Sequence, residues 1–183
     1  MSSANLPTLN TDRLILRPFT LADAPDVERL AGAWEVADTT LRIPHPYPKG
    51  GGAAWINTRL AAWADNKSLA LAIAPHETSS AIIGAISLAL DQQHSHGELG
   101  YWIGSDYWGQ GFATEASRAI IAFAFTELGL HRVQAGHFTR NPSSGRVMQK
   151  LGMKFEGVMR AAYFRWGRFE DVALYAILAD EWN

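Results

Sequence analysis

Tyr101-Trp102-Ile103-Gly104-Ser105-Asp106-Tyr107-Trp108-Gly109-Gln110-Gly111-Phe112-Ala113-Thr114-Glu115-Ala116 carries the strongest structural signal in this chain. An aromatic, apolar strand runs into a short loop, and the loop opens a helix. The glycines fall where loop becomes helix. With no Cβ at Gly109 and Gly111, backbone N–H groups can close around a ligand. The helix N-terminus adds about half a positive charge and several free N–H donors. Together these features predict a cradle for a pyrophosphate. A tight turn without a ligand would use the same two glycines. Two other nucleotide motifs do not fit. A Walker loop requires Lys and then Ser or Thr after its last glycine, and here Phe112 follows Gly111. A dinucleotide fingerprint wants a third glycine or alanine where Thr114 stands, in an early βαβ unit.

Upstream of this stretch, Arg13-Leu14-Ile15-Leu16-Arg17 predicts a first strand. Thr20-Leu21-Ala22-Asp23 is a capping-box start to a helix that reaches Ala31. Residues 43–52, rich in proline and glycine, form a loop. The helix after it places Trp55, Ile56, Leu60 and Trp63 roughly on one face. Residues 69–73 and 81–86 read as neighbouring strands, and 98–103 as another. Downstream, 113–128 is a helix closed by Gly129, and 132–138 a strand. Asn141 caps a short helix with Pro142 at its first position, and Gly152 ends it. Residues 154–164 and 168–178 form a last strand pair around Trp166-Gly167-Arg168. This order predicts an α/β (α+β mixed) fold. It has a mixed sheet of about seven strands with helices on both faces, in one domain over 1–183.

Composition sets the outer limits. The chain has 183 residues, 48% apolar and 19% charged, as an ordinary globular domain does. It has no cysteine, which excludes disulfides, thiolate metal sites and a cysteine acyl-enzyme. Met1-Ser2-Ser3-Ala4-Asn5 lacks the basic region of a signal peptide. No apolar run approaches the roughly 20 residues of a membrane span. A cytoplasmic protein with no membrane partner is expected. The net charge of −2 argues against bulk nucleic-acid binding. The charge is uneven: residues 1–40 hold six acids and three arginines, whereas 128–155 hold five bases and no acid. A basic C-terminal half suits an anionic cofactor, although solvated charge would read the same. His94-Ser95-His96 lies in a polar loop with no third ligand implied, so no metal is expected. No Gly-x-Ser-x-Gly elbow is present, which argues against a serine hydrolase.

Further segments fall in a fixed order around the glycine loop. They are Thr11-Asp12-Arg13-Leu14-Ile15-Leu16-Arg17-Pro18, Glu98-Leu99-Gly100-Tyr101-Trp102-Ile103-Gly104, Leu128-Gly129-Leu130-His131-Arg132-Val133, Asn141-Pro142-Ser143-Ser144 and Lys150-Leu151-Gly152-Met153. Taken together they resemble the GNAT (Gcn5-related) N-acetyltransferase superfamily, and within it the branch of ribosomal-protein N-terminal acetyltransferases. The resemblance implies a largely antiparallel, V-shaped sheet with acetyl-CoA in the split between two strands. The family's Gln/Arg-x-x-Gly-x-Gly/Ala motif falls on Trp108, Gly111 and Ala113, with Trp108 in the first place as is usual for this branch. Gly109, Gln110 and Thr114 would complete the cradle. The backbone of Trp102, Ile103 and Gly104 would pair with the pantetheine arm and polarise the thioester carbonyl. Asn141 and Ser144 match the branch's Asn-x-x-Ser at the sulfur end.

The implied reaction is attack on acetyl-CoA by a primary amine, on a protein N-terminus or a small molecule, within a ternary complex. An ammonium must first lose a proton. Glu98 is the candidate base by the resemblance, and a solvated strand-end glutamate is the alternative. Ser144 is the candidate donor to the departing sulfur, with Tyr163 as a rival. Trp34, Asp38, His45, Tyr47 and Trp55 are candidates for the acceptor site, with plain core as the other reading of Trp55 and Trp63. Look-alikes are commonly homodimers. A non-catalytic acyl-CoA sensor and a nucleotide-binding domain of another class stay open.

Overall fold

Eight strands form one sheet in the order β1-β2-β3-β4-β5-β6-β8-β7 in a computed structural model that describes residues 6–182. The segment Met1-Ser2-Ser3-Ala4-Asn5 lies outside the described residues. The elements are β1 (Leu9–Asn10), β2 (Leu14–Arg17), α1 (Ala24–Ala31), α2 (Trp34–Asp38), α3 (Gly51–Ala64), β3 (Ser68–Pro75), β4 (Gly84–Asp91), β5 (His96–Ile103), α4 (Phe112–Thr126), β6 (Arg132–Phe138), α5 (Pro142–Lys150), β7 (Lys154–Arg165) and β8 (Arg168–Leu178). All neighbouring pairs are antiparallel except β5 and β6, which run parallel. The mixed sheet expected from the element order is therefore present, with the largely antiparallel pairing that the resemblance implies.

The structure adds β1 and α2, which have two and five residues and are too short to show a period. It also moves one strand. The run expected at 81–86 pairs instead from Gly84 to Asp91. Ala81, Ile82 and Ile83 form the connection, and Ile83 N–H still donates to Ile73 O at 2.8 Å. Both isoleucines are buried there, so their apolar character reports core and not strand. The helix expected from Thr20 onward begins as a 3₁₀ turn at Leu21–Asp23 before α1. The last hairpin turns at Trp166 and Gly167, both at positive φ (52° and 77°), as a tight two-residue connection requires.

The Asp23 carboxylate is 2% exposed and ties β2 to that turn. Arg17 grips it with Nη1 and Nη2, each at 2.8 Å, and Thr20 N–H donates at 2.7 Å. Burial by itself would raise the Asp23 pKa; the bonds from Arg17 and Thr20 outweigh that and hold it below the usual carboxylate range. Asp23→Ala leaves a largely buried guanidinium unpaired and should cost about 3–5 kcal/mol, read as a fall in urea midpoint. A carboxyl depressed in the folded state contributes stability above its unfolded pKa. Wild type should therefore lose this contribution as pH falls through the folded value, and the variant should not.

Two layers of helix cover the sheet. On one face α4 and α5 bury Ile120, Ile121 and Met148 against Leu71, Ile86, Leu99 and Val133. On the other, α1 and α3 bury Val27, Leu30 and Ile56 against Ala72, with Trp102 packed beside them.

Candidate active site

Strands β5 and β6 pair only at His96, Glu98 and the residue between them, opposite Arg132, Val133 and Gln134. Both strands continue, β5 to Ile103 and β6 to Phe138, so they part beyond Glu98. The edge of β5 from Leu99 to Ile103 keeps β4 on one side and has no strand on the other. Its free N–H and C=O groups offer a ladder to any extended polar ligand. A cleft of 1170 Å³ occupies this split.

The glycine loop closes one end of the cleft. Gly109 and Gly111 sit at φ 77° and 84°, the left-handed region, and a Cβ on Gly109 would meet nothing within 4 Å. The first hydrogen bond of α4 runs from Glu115 N–H to Gly111 O at 3.0 Å. The N–H groups of Phe112, Ala113 and Thr114 therefore have no acceptor inside the helix. An open turn lined by free N–H groups at a helix N-terminus fits a pyrophosphate. Trp108 stands where the family motif has Gln or Arg, and its indole N–H donates to Ile103 O at 2.7 Å. The side chain thus joins strand end to loop.

A clamp that local sequence does not announce steadies this loop. Glu115 accepts from Thr11 Oγ1 at 2.6 Å, Arg13 N–H at 2.8 Å and Arg13 Nε at 2.7 Å. Arg13 Nη1 donates to Gln110 O at 3.0 Å. Burial opposes the Glu115 charge, but the bonds from Thr11 and Arg13 overcome it and hold the carboxyl below its usual range.

Side chains on β5 alternate between the faces. Leu99, Tyr101 and Ile103 turn toward α4 and α5, where they join or pack on that core. Tyr101 Oη lies 2.8 Å from Ser144 Oγ. Burial pushes the Tyr101 pKa up to about 12, with the Ser144 bond opposing, so the phenol is neutral at physiological pH. Ser144 is in the first turn of α5, whose cap Asn141 accepts Ser144 N–H through Oδ1 at 3.4 Å.

Glu98, Gly100 and Trp102 turn the other way, toward α1 and α3. The register sets Ala89 against Glu98, Ser87 against Gly100 and Ala85 against Trp102. Ala70 and Ala72 follow on β3 opposite Ser87 and Ala85. Of these, Ala70, Ala85, Ser87, Ala89 and Gly100 line the cleft and floor a channel on this face, whereas Ala72 is buried under α1 and α3. Glu98 is exposed at the apex and makes no ion pair among the described residues. The structure brings Glu98, Trp102, Ile103, Trp108, Gly109, Gly111, Ala113, Thr114, Asn141, Ser144, Tyr47, Trp55 and Tyr163 to one cleft. Gln110 does not line it; its carbonyl is turned to Arg13.

Trp34, Asp38 and His45 do not line it either. Trp34 packs edge-on against His45 and Trp166, with ring centroids 5.1 and 5.0 Å away. The Asp38 carboxylate pairs with Arg140 at 2.7 Å and Arg168 at 2.8 Å, in a network that includes Glu170. Both residues fasten α2 to the end of the sheet at the β7–β8 hairpin. Trp63 is core, but Trp55 is only half-buried and lines the cleft. Tyr101 went unnoticed in the sequence. The alternation along β5 could have separated it from Glu98 and Trp102.

A split parallel pair, a left-handed glycine loop and a helix N-terminus define one coenzyme-shaped slot. The family model for the acetyltransferase (GNAT) domain matches residues 13–154. The chain belongs to the GNAT acetyltransferase family. It is similar to the uncharacterised N-acetyltransferase YoaA of Bacillus subtilis (strain 168), 32% identical over 94% of this chain and 97% of that one. It is also similar to the ribosomal-protein-serine acetyltransferase of Escherichia coli (strain K12), 31% identical over 54% of this chain and 56% of that one. Among solved structures, that of a probable acetyltransferase superposes with a TM-score of 0.85 at 26% identity, over 96% of this chain and 99% of that chain. This GNAT chain is an acetyl-CoA-dependent N-acetyltransferase. No helix among the described residues is long and apolar enough to cross a membrane, and no group of three or more His, Asp or Glu is placed to hold a metal ion.

Proposed function

We propose that this acetyltransferase works as one cytoplasmic domain, with its coenzyme on the α4–α5 side of the sheet and its amine on the α1–α3 side, meeting at the split beside Glu98. Acetyl-CoA supplies the thioester whose acetyl group is transferred. The turn from Gly109 to Thr114 holds the diphosphate with main-chain N–H groups, and Trp108 fixes that turn to β5. The unpaired edge of β5 aligns the pantetheine arm, and its N–H groups polarise the reacting carbonyl. Glu98, facing the channel, takes the proton from the incoming ammonium, directly or through water. Tyr101, held neutral, donates to Ser144 Oγ, which leaves the Ser144 proton free to meet the departing sulfur. The acceptor is a protein N-terminus or a small amine.

The observation that supports this reading best is the opposite facing of Glu98 and Tyr101 on the one strand with a free edge. That facing supports a base on one side of the reacting carbonyl and a proton donor, Ser144 beside Tyr101, on the other. The test is a thiol-release assay with acetyl-CoA over a panel of N-terminal peptides and small amines. Release with at least one acceptor, and no covalent acetyl-enzyme in single turnover, is expected. Tight coenzyme binding with no release from any amine would point to a sensor instead. An acetyl-enzyme would rule out direct attack.

A further inference from the structure

The inner stripe of α3 carries a cation that no carboxylate among the described residues pairs with. The buried residues of this helix are Gly52, Ile56 and Trp63. That stripe passes through position 59, about one helical turn from both Ile56 and Trp63. Arg59 occupies it, half-buried and lining the cleft. A charged side chain turned inward is ordinarily paired. Among the described residues Arg59 makes no ion pair. Its Nε donates to Trp55 O at 3.3 Å and Thr58 Oγ1 at 3.0 Å, and its Nη2 to the same hydroxyl at 2.5 Å. Its Cζ lies 5.0 Å from the Trp55 ring centroid. These contacts orient the guanidinium and leave Nη1 without a hydrogen bond among the described residues. Burial lowers the Arg59 pKa and the Tyr47 phenol opposes that, yet a guanidinium stays charged at neutral pH. Glu28, on the adjoining α1, accepts from Gly52 N–H at 3.1 Å.

The other charges of the cleft have their own places. Arg132 and Glu156 pair with each other at 2.5 Å. Arg146 and Lys150 stand on α5, on the coenzyme side. Glu98 stands at the apex. On the acceptor side Glu98 is thus at the split, and away from it stand Arg59, and Arg42 on the loop before α3, neither of which makes an ion pair among the described residues. Such a surface repels a polyamine and attracts an anion.

We propose that the acceptor is a primary amine that also carries a carboxylate several bonds away, and that Arg59 binds this carboxylate. The proposal rests on the acetyl-transfer reading above, because it takes the amine to lie at the split. Helix α3 flanks β3, two strands from β5, a span of about 10 Å at the usual strand spacing. An α-carboxylate lies too near its own amine to bridge that span. An acidic side chain, or the far end of an ω-amino acid, can do so. The channel floor of Ala70, Ser87 and Gly100 leaves room for a slender linking chain.

The test compares two matched pairs: 6-aminohexanoate with 6-aminohexanamide, and the peptides Ser-Ala-Glu-amide with Ser-Ala-Gln-amide. The first pair represents a free small molecule and the second a protein N-terminus. Thiol release gives kcat/KM, and tryptophan fluorescence with coenzyme A bound gives affinity without chemistry. In at least one pair the acid should exceed its neutral partner by about tenfold or more, as a charged hydrogen bond would give. Arg59→Gln should erase that preference, raising KM for the acid far more than for the neutral partner, and Arg59→Lys should restore part of it. Coenzyme A affinity is the folding control. Equal values within both pairs, or a loss in Arg59→Gln shared alike by acid and neutral partner, overturns the proposal. A silent thiol assay with the acid preference intact in fluorescence would defeat acetyl transfer and leave the anion site standing.

Discussion

Glu98→Gln lowers turnover by about 10²–10⁴-fold near neutral pH and leaves the affinity for acetyl-CoA within about twofold. The reason is where the carboxylate faces. Glu98 shares its side of β5 with Gly100 and Trp102, away from the α4–α5 face on which the glycine loop opens. It is also the last β5 residue paired to β6, so it sits where the sheet opens. On the proposed arrangement a group there meets the amine and not the coenzyme. The pH profile separates this role from a structural one. The deficit should shrink as pH rises toward the pKa of the acceptor, because amine that is already free needs no base. A deficit that is constant with pH, or one shared equally by coenzyme affinity, would remove Glu98 from proton transfer. Steady-state kinetics from pH 6 to 10, with calorimetry of acetyl-CoA, is the measurement.

Gly111→Val weakens coenzyme A binding by about 10–100-fold, read by calorimetry. At φ 84° an L-residue is strained, by roughly 1–2 kcal/mol, and the loop answers by rotating its N–H groups away from the ligand. The added Cβ itself meets only Arg13 Nη2, at an ordinary contact distance of 3.5 Å, so the effect comes from the backbone. Gly129→Val is the control. It imposes the same kind of strain at φ 63°, where a Cβ meets nothing within 4 Å and the residue does not line the cleft. Both variants should lose stability, and only Gly111→Val should lose coenzyme. Equal affinities in the two would show that the diphosphate is held elsewhere.

The features legible in the sequence are those fixed by near neighbours. The Asn141–Pro142 cap, the break after α4 at Gly129 and the tight turn at Trp166-Gly167 each depend on a few adjacent residues. The glycine loop is of the same kind, since its left-handed residues are adjacent to the helix they open. Strand boundaries were less legible, because Ile82 and Ile83 are as apolar in a buried connection as they would be in a strand. The cleft depends on longer relations. Asp38 is a candidate for the acceptor site in the sequence, but Arg140 and Arg168, 102 and 130 residues away, hold its carboxylate in the structure.

The sequence by itself determined the glycine loop before α4, the cap at Asn141, the stop at Gly129 and the turn at Trp166-Gly167, because those choices are made by backbone sterics and hydrogen bonds over a few residues. Tertiary structure decided which charges are paired and which face an opening. It set Glu115 against Arg13, put β8 between β6 and β7, and brought Arg59 to the cleft with no ion pair among the described residues. The cause is that the cost of a charge depends on its burial and its neighbours, and both are set only when distant segments meet.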